Sequence, residues 1–236
     1  MTIDNEYWYE SENANWNHRR RASEWHFDPT RIDDAGKDPG IRMNFVQFKG
    51  DWKDEILAKP FDERAPLDLS EWLQKICVQE HIELGISPYI EGKRVTVDKE
   101  QHPKISKIVD SLGIKDPYAQ ILRQMPGEMF TYHIDQIVCG AEGRHGITSM
   151  DNVLRDDESV RVFIALEDWN WGTHLLMGNY HWKQWSAGDI MWFRWQDMPH
   201  GSANCGHKPR YFLKVTGKKT DTFEKLLQGQ NQIINV

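Results

Sequence analysis

The chain has 236 residues, with 29 Lys and Arg against 36 Asp and Glu, for a formal net charge of −7. That length is enough for one domain to bury a core without disulfides or structural metal. Cys77, Cys139 and Cys205 are scattered, with no Cys-x-x-Cys pair, which argues against a disulfide framework and a zinc knuckle and for a reducing compartment.

The acidic balance offers no general attraction to nucleic acid or to an anionic membrane. The first residues lack the basic start and apolar stretch of a signal peptide, and apolar runs such as Val162 to Leu166 are too short to span a bilayer. The expectation is a soluble, cytoplasmic protein. Eleven tryptophans and ten histidines are many for this length, and six of the tryptophans fall between Trp169 and Trp195.

Residues 1 to 40 are polar and irregular, and they include the basic run His18-Arg19-Arg20-Arg21 beside Trp16 and Trp25, which reads as solvated surface rather than a nucleic-acid contact. Asp68 with Glu71 forms a capping box. Leu69, Trp72, Leu73 and Ile76 follow at helical spacing, and Gly85 supplies the stop. A second helix starts at Pro103, places Ile105, Ile108, Val109 and Leu112 on one face, and ends at Gly113.

After Asp116 the pattern turns to short β-rich runs between turn residues. Strands are predicted near Ala119 to Met125, Met129 to Val138, Val160 to Glu167, Thr173 to Met177, Tyr180 to Trp185, Asp189 to Trp195, His200 to Asn204 and Arg210 to Thr216. Pro126-Gly127, Gly178-Asn179 and Ala187-Gly188 mark turns between them. A set of strands without intervening helices predicts a mainly β protein, a double-sheet jelly roll. Gly140 to Ser159 is a long polar loop of the kind that serves as a lid or binding loop. The expected organisation is an N-terminal helical and irregular region (1–117) packed on a β core (118–217), then a C-terminal tail with a short helix (218–236).

His133-Ile134-Asp135 falls in a predicted strand, where residues i and i+2 point to one face. Composition alone produces about one such His-x-Asp pair by chance. The other, His26-Phe27-Asp28, lies outside a strand before Pro29 and is taken as that occurrence. The first pair gains weight from a later strand-edge histidine, His200, and from Arg210 at the start of the last predicted strand. Two histidines and a carboxylate form the facial triad of non-haem Fe(II), with positions left open for oxygen chemistry. A guanidinium suits the far carboxylate of a dicarboxylate cosubstrate. His207, the rival third ligand, sits in a Gly/Lys/Pro turn just before Arg210, so His200 is preferred.

Pro126-Gly127 through His133-x-Asp135, Arg161-Val-Phe-Ile-Ala-Leu, Trp185-Ser-Ala-Gly-Asp-Ile-Met-Trp-Phe, His200 and Arg210-Tyr-Phe-Leu together resemble the Fe(II)- and 2-oxoglutarate-dependent oxygenases. Within these the chain is most similar to the aspartyl/asparaginyl β-hydroxylase-like branch. The resemblance covers about residues 118 to 217 and implies a double-stranded β-helix of cupin-like form. It implies Fe(II) on His133, Asp135 and His200, with 2-oxoglutarate held by Arg210, Arg161 and Ser202. It also implies hydroxylation of a substrate C–H bond with dioxygen, releasing succinate and CO2. Best-known members of the branch have glycine where Asp135 stands, and a histidine where this chain has Phe163. Asp135 therefore completes a triad.

Val160, Val162, Ile164 and Leu166 make one apolar face, so Arg161 shares the other with Phe163 and Ala165. If that face lines the barrel interior the arginine needs an anion, and if it meets solvent it needs none. Trp169, Trp171, His174 and Arg144 are candidate substrate contacts, although large aromatics on strands are more often core. The substrate class expected is an amino acid, a small metabolite or a protein side chain. Two other functions compete with the oxygenase: a non-catalytic jelly-roll binding or interaction protein, and a cupin-type metalloenzyme that does not use 2-oxoglutarate.

Overall fold

A computed structural model describes residues 40–61, 93–133, 159–178, 180–193, 198 and 200–236, with the backbone alone at 93 and 131–133. In chain order they form β1 (Arg42–Lys49), α1 (Lys53–Ile56), β2 (Lys93–Thr96), α2 (Pro103–Ser111), β3 (Lys115–Gln124), β4 (Met129–His133) and β5 (Ser159–Ala165). Then come β6 (Thr173–Met177), β7 (Tyr180–Trp182), β8 (Asp189–Trp192), β9 (His200–Asn204), β10 (Arg210–Lys218), α3 (Asp221–Gln228) and β11 (Gln232–Asn235).

Two sheets result. The larger has the order β11-β1-β8-β5-β10-β3-β2 and the smaller the order β4-β9-β6-β7. From β3 to β10 the chain supplies four strands to each sheet, crossing between them at every connection except the β6–β7 hairpin. That is the eight-stranded jelly roll, a double-stranded β-helix, as expected from the alternation of β-rich runs and turns. β1, β2 and β11 widen the larger sheet at its two edges.

The central strands of the larger sheet, β5 and β10, have two buried faces. On the outer face Val46, Phe48, Ile121, Val162, Ile164, Leu213 and Val215 pack against Ile105, Ile108 and Leu112 of α2 and Phe223 of α3. On the inner face Phe163, Ala165, Met191 and Phe212 pack against Leu175, Met177 and Trp182 of the smaller sheet. This explains why every residue of β5 is buried. Burying one such large side chain stabilises the fold by about 1.5–3 kcal/mol.

Helix α2 follows its sequence signals, with Pro103 in its first turn. Its N-terminal amides are capped from outside the helix. Glu55 of α1 accepts hydrogen bonds from Lys104 N at 2.9 and 3.0 Å and from Ile105 N at 2.9 Å. The carboxylate thus meets the orphan donors and the positive end of the helix dipole together.

Three strands depart from the sequence expectation, which put none before Ala119 and only a short helix in the tail. β1 carries a register shift between Met43 and Gln47, with Asn44 at φ 54°. That bulge buries the consecutive residues Phe45 and Val46 and hides the two-residue period. β2 pairs with β3, and β11 runs parallel to β1 beyond the expected helix α3. The helix expected over Asp68 to Gly85, the basic run at residues 18–21 and the loop at 140–158 lie outside the described residues. No helix among the described residues is long and apolar enough to cross a membrane.

Candidate metal and anion site

β4 and β9 are antiparallel neighbours in the smaller sheet, and His133 and His200 are register partners. Register partners lie on one face of a ladder. At position 200 it is the inner face, since His200 pairs on its other side with Met177 of the inter-sheet core. The His200 ring is buried, and its Nδ1–H donates to the carbonyl of Met198 at 2.9 Å. A carbonyl only accepts, so Nδ1 carries a proton in this bond, the contact by which a backbone carbonyl orients a histidine that ligates through Nε2. Phe193 packs edge-on against the ring at 5.1 Å between centroids. Asp135 lies outside the described residues, and among the described residues no group of three or more His, Cys, Asp or Glu is gathered for a metal.

Arg210 opens β10 and is buried. Its Nη2 donates to Ser202 Oγ and its Nη1 to the main-chain carbonyl of His174, each at 3.1 Å. Its Nε has no hydrogen-bond partner among the described residues, and the guanidinium lies 4.9 Å over the Phe212 ring. No carboxylate among the described residues pairs with it. Burial pushes its pKa down to about 9, so it remains a cation at neutral pH. A buried cation without an anion is costly, and an incoming carboxylate would relieve that cost. The turn that delivers Arg210 is fixed by Asn204, whose Nδ2 donates to the carbonyls of Gln124 and Lys208 at 2.8 Å each.

The inner face of the larger sheet is a set of cross-strand rows. Tyr118, Thr216 and Arg161 form the first, Gln120, Lys214 and Phe163 the second, Leu122, Phe212 and Ala165 the third, and Gln124 and Arg210 the fourth. Phe193, which touches His200, directly follows Trp192, the partner of Val162. His200 therefore lies toward the Arg161 end, while Arg210 enters from the other. Arg210 still reaches Ser202, two residues or about 6.7 Å along β9 from His200. A short dicarboxylate fits that interval.

Arg161 faces the barrel interior, the alternative that gives a buried arginine a reason to meet an anion. Its Nε donates to Thr216 Oγ1 at 2.9 Å. Thr216 stands six residues along β10 from Arg210, or about 20 Å, so the two arginines cannot hold the same carboxylate group.

Of the suggested substrate contacts, Trp169, Trp171 and His174 are among the described residues. Trp169 and Trp171 precede Thr173, which pairs with Asn204 about 13 Å along the sheet from His200. Trp171 is 81% exposed, while Trp169 Nε1 is tied to the carbonyl of Thr173. His174 contributes its carbonyl to Arg210, but its ring sits on the outer face, with Nδ1 2.6 Å from Nε2 of His181. His207 is exposed on the turn before β10, and Arg144 lies outside the described residues. Sequence reasoning did not find Met198, Gln124, Asn204 or Phe212, which orient His200 and Arg210. Only the inward phase of Gln124 with Leu122 was available as a signal.

No family model matches the chain, and neither does any curated protein. Among solved structures it is similar to viral collagen prolyl hydroxylase from Paramecium bursaria Chlorella virus-1, determined with 2OG, at 15% identity over 64% of this chain and 92% of that one, with a TM-score of 0.41. It is also similar to a conserved protein with a double-stranded β-helix domain from Klebsiella pneumoniae, at 16% identity over 54% and 76% with a TM-score of 0.30. A Cupin 2 conserved barrel domain protein from Salinispora arenicola matches at 11% identity over 58% and 83%, with a TM-score of 0.31.

Proposed function

We propose that this chain is an Fe(II)- and 2-oxoglutarate-dependent dioxygenase that hydroxylates a C–H bond, of the aspartyl/asparaginyl β-hydroxylase-like branch that its sequence resembles. The observation that carries the reading is Arg210, a buried guanidinium with no carboxylate partner among the described residues, set beside a hydroxyl on the face that also bears His200. His133, Asp135 and His200 would hold the iron. Bound Fe(II) supplies the coupled oxidation in which 2-oxoglutarate, dioxygen and R–H become succinate, CO2 and R–OH.

The chain's own residues bind and orient. Arg210 and Ser202 fix the distal carboxylate by charge-assisted hydrogen bonds. The Met198 carbonyl holds His200 Nδ1 and so fixes the orientation of the ring. Phe212, Leu122 and Ala165 place an apolar row between Arg210 and the rest of the inner face, which excludes water and strengthens the electrostatics there.

Anaerobic Fe(II) addition tests the reading. A weak visible metal-to-ligand band is expected only with 2-oxoglutarate present, and it is lost in His200→Ala. Arg210→Ala should raise the 2-oxoglutarate requirement sharply and leave iron binding intact. Iron uptake without the 2-oxoglutarate-dependent band would point to a cupin-type metalloenzyme, and uptake of neither ligand to a non-catalytic binding protein.

A further inference from the structure

The β6–β7 hairpin carries two histidines on the outer face of the smaller sheet. Its strands pair with Leu175 opposite Trp182 and Leu176 opposite His181. Leu175, Met177 and Trp182 point into the inter-sheet core, so alternation turns His174 and His181 outward. His174 is a diagonal neighbour of His181, near enough for side chains of that length to meet.

His174 Nδ1 and His181 Nε2 lie 2.6 Å apart, with 4.6 Å between ring centroids and 43° between ring planes. Two ring nitrogens therefore converge on one point. Only one proton fits between them, and two imidazolium ions would repel at this distance. Burial, then the charges of His174 and Lys183, hold the His181 pKa below its ordinary value, which keeps that ring neutral at neutral pH. A neutral imidazole has a lone pair on one nitrogen, and with each proton on the far nitrogen both lone pairs aim at the same place.

We infer that His174 and His181 chelate a divalent transition-metal ion, of the zinc, nickel and copper class that imidazole suits, on the outside of the barrel. At metal–nitrogen distances of about 2.0–2.1 Å the two ligand atoms stand about 2.9–3.4 Å apart, so the rings part by less than about 1 Å. His181 is exposed, which leaves room for that movement and for water on the remaining positions. The ion clips β6 to β7, the three-residue strand at the edge of the smaller sheet. The His174 carbonyl accepts from Arg210, so the clip secures the strand that supports the anion site. His200 lies on the opposite, inner face, and the outer ion is independent of the oxygenase reading.

Calorimetric titration of the full chain with Ni(II) at slightly alkaline pH tests the site. His174→Gln and His181→Gln should each abolish this binding or weaken it about 10–100-fold or more, since loss of a supporting contact to a ligand alone costs that much. His200→Ala should leave it within about twofold, as expected for separate sites. Lys183→Gln should tighten it about two- to fivefold by removing a nearby like charge. Ni(II) should also raise the melting temperature of wild type by more than that of His181→Gln. Because His181 is exposed, its variant leaves the core intact. Equal Ni(II) binding by wild type and His181→Gln would place the ion on other histidines and overturn the site. Loss in only one of the two histidine variants would mean a single imidazole ligand and would overturn the chelate.

Discussion

Arg210 and Ser202 are joined by a 3.1 Å hydrogen bond, although one begins β10 of the larger sheet and the other lies in the middle of the smaller. Through this contact a cation from one end of the barrel reaches the face that bears His200.

Arg210→Met should separate stability from binding. Methionine keeps much of the volume and removes a buried charge that has no carboxylate partner among the described residues, a change that is often neutral or stabilising in proteins. The unliganded variant should melt a few degrees above wild type. Wild type should gain about 2.7 kcal/mol from 2-oxoglutarate at a hundred times its Kd, and the variant nothing. Differential scanning calorimetry reads both, and a lower melting temperature would assign Arg210 a structural role.

Glu55→Ala removes the acceptor for Lys104 N and Ile105 N in a buried setting. Loss of such a charged cap should cost about 2 kcal/mol. Urea denaturation should show a lower midpoint with an unchanged slope.

Gly188 has φ +86°, donates to Ala165 O at 2.7 Å and accepts from Phe48 N at 3.0 Å. A Cβ there would overlap the Phe48 carbonyl oxygen. Gly188→Ala should therefore destabilise by about 3 kcal/mol or more, adding a steric clash to left-handed strain. Soluble yield and melting temperature would both fall, and a wild-type melting curve would contradict the backbone contact.

Burial, then the charges of His174 and Lys183, hold the His181 pKa below the ordinary value of about 6.5. The unfolded chain then binds the proton more readily than the folded one. This contribution is complete above about pH 6.5 and is lost as pH falls through the folded value. His181→Gln should flatten the acid side of the stability profile relative to wild type, and an NMR titration of the His181 ring should give a midpoint below that of a free imidazole.

Much of the barrel was legible because turn residues bracket each run and alternation marks one face. β6 and β9 have their expected limits, and the buried run of β5 was visible in its β-branched residues. β1 was not, because its bulge at Asn44 puts two buried residues side by side. The register of His133 with His200 was implied only by their spacing and shared resemblance. Gln120 and Lys214 read as ordinary polar alternates, since their pairing joins strands nearly a hundred residues apart. Met198 acts through its carbonyl, which carries no sequence signature.

The tryptophan-rich stretch acquires a use from its surroundings. Trp182 and Trp185 lie 5.5 and 5.0 Å from Phe212, the ring on which the Arg210 guanidinium rests. Indole transitions respond to nearby charge and ring geometry, so these residues form an optical gauge wired to the anion pocket. An anion arriving at Arg210 should register in the near-ultraviolet circular dichroism of the unlabelled protein, before any turnover is measured.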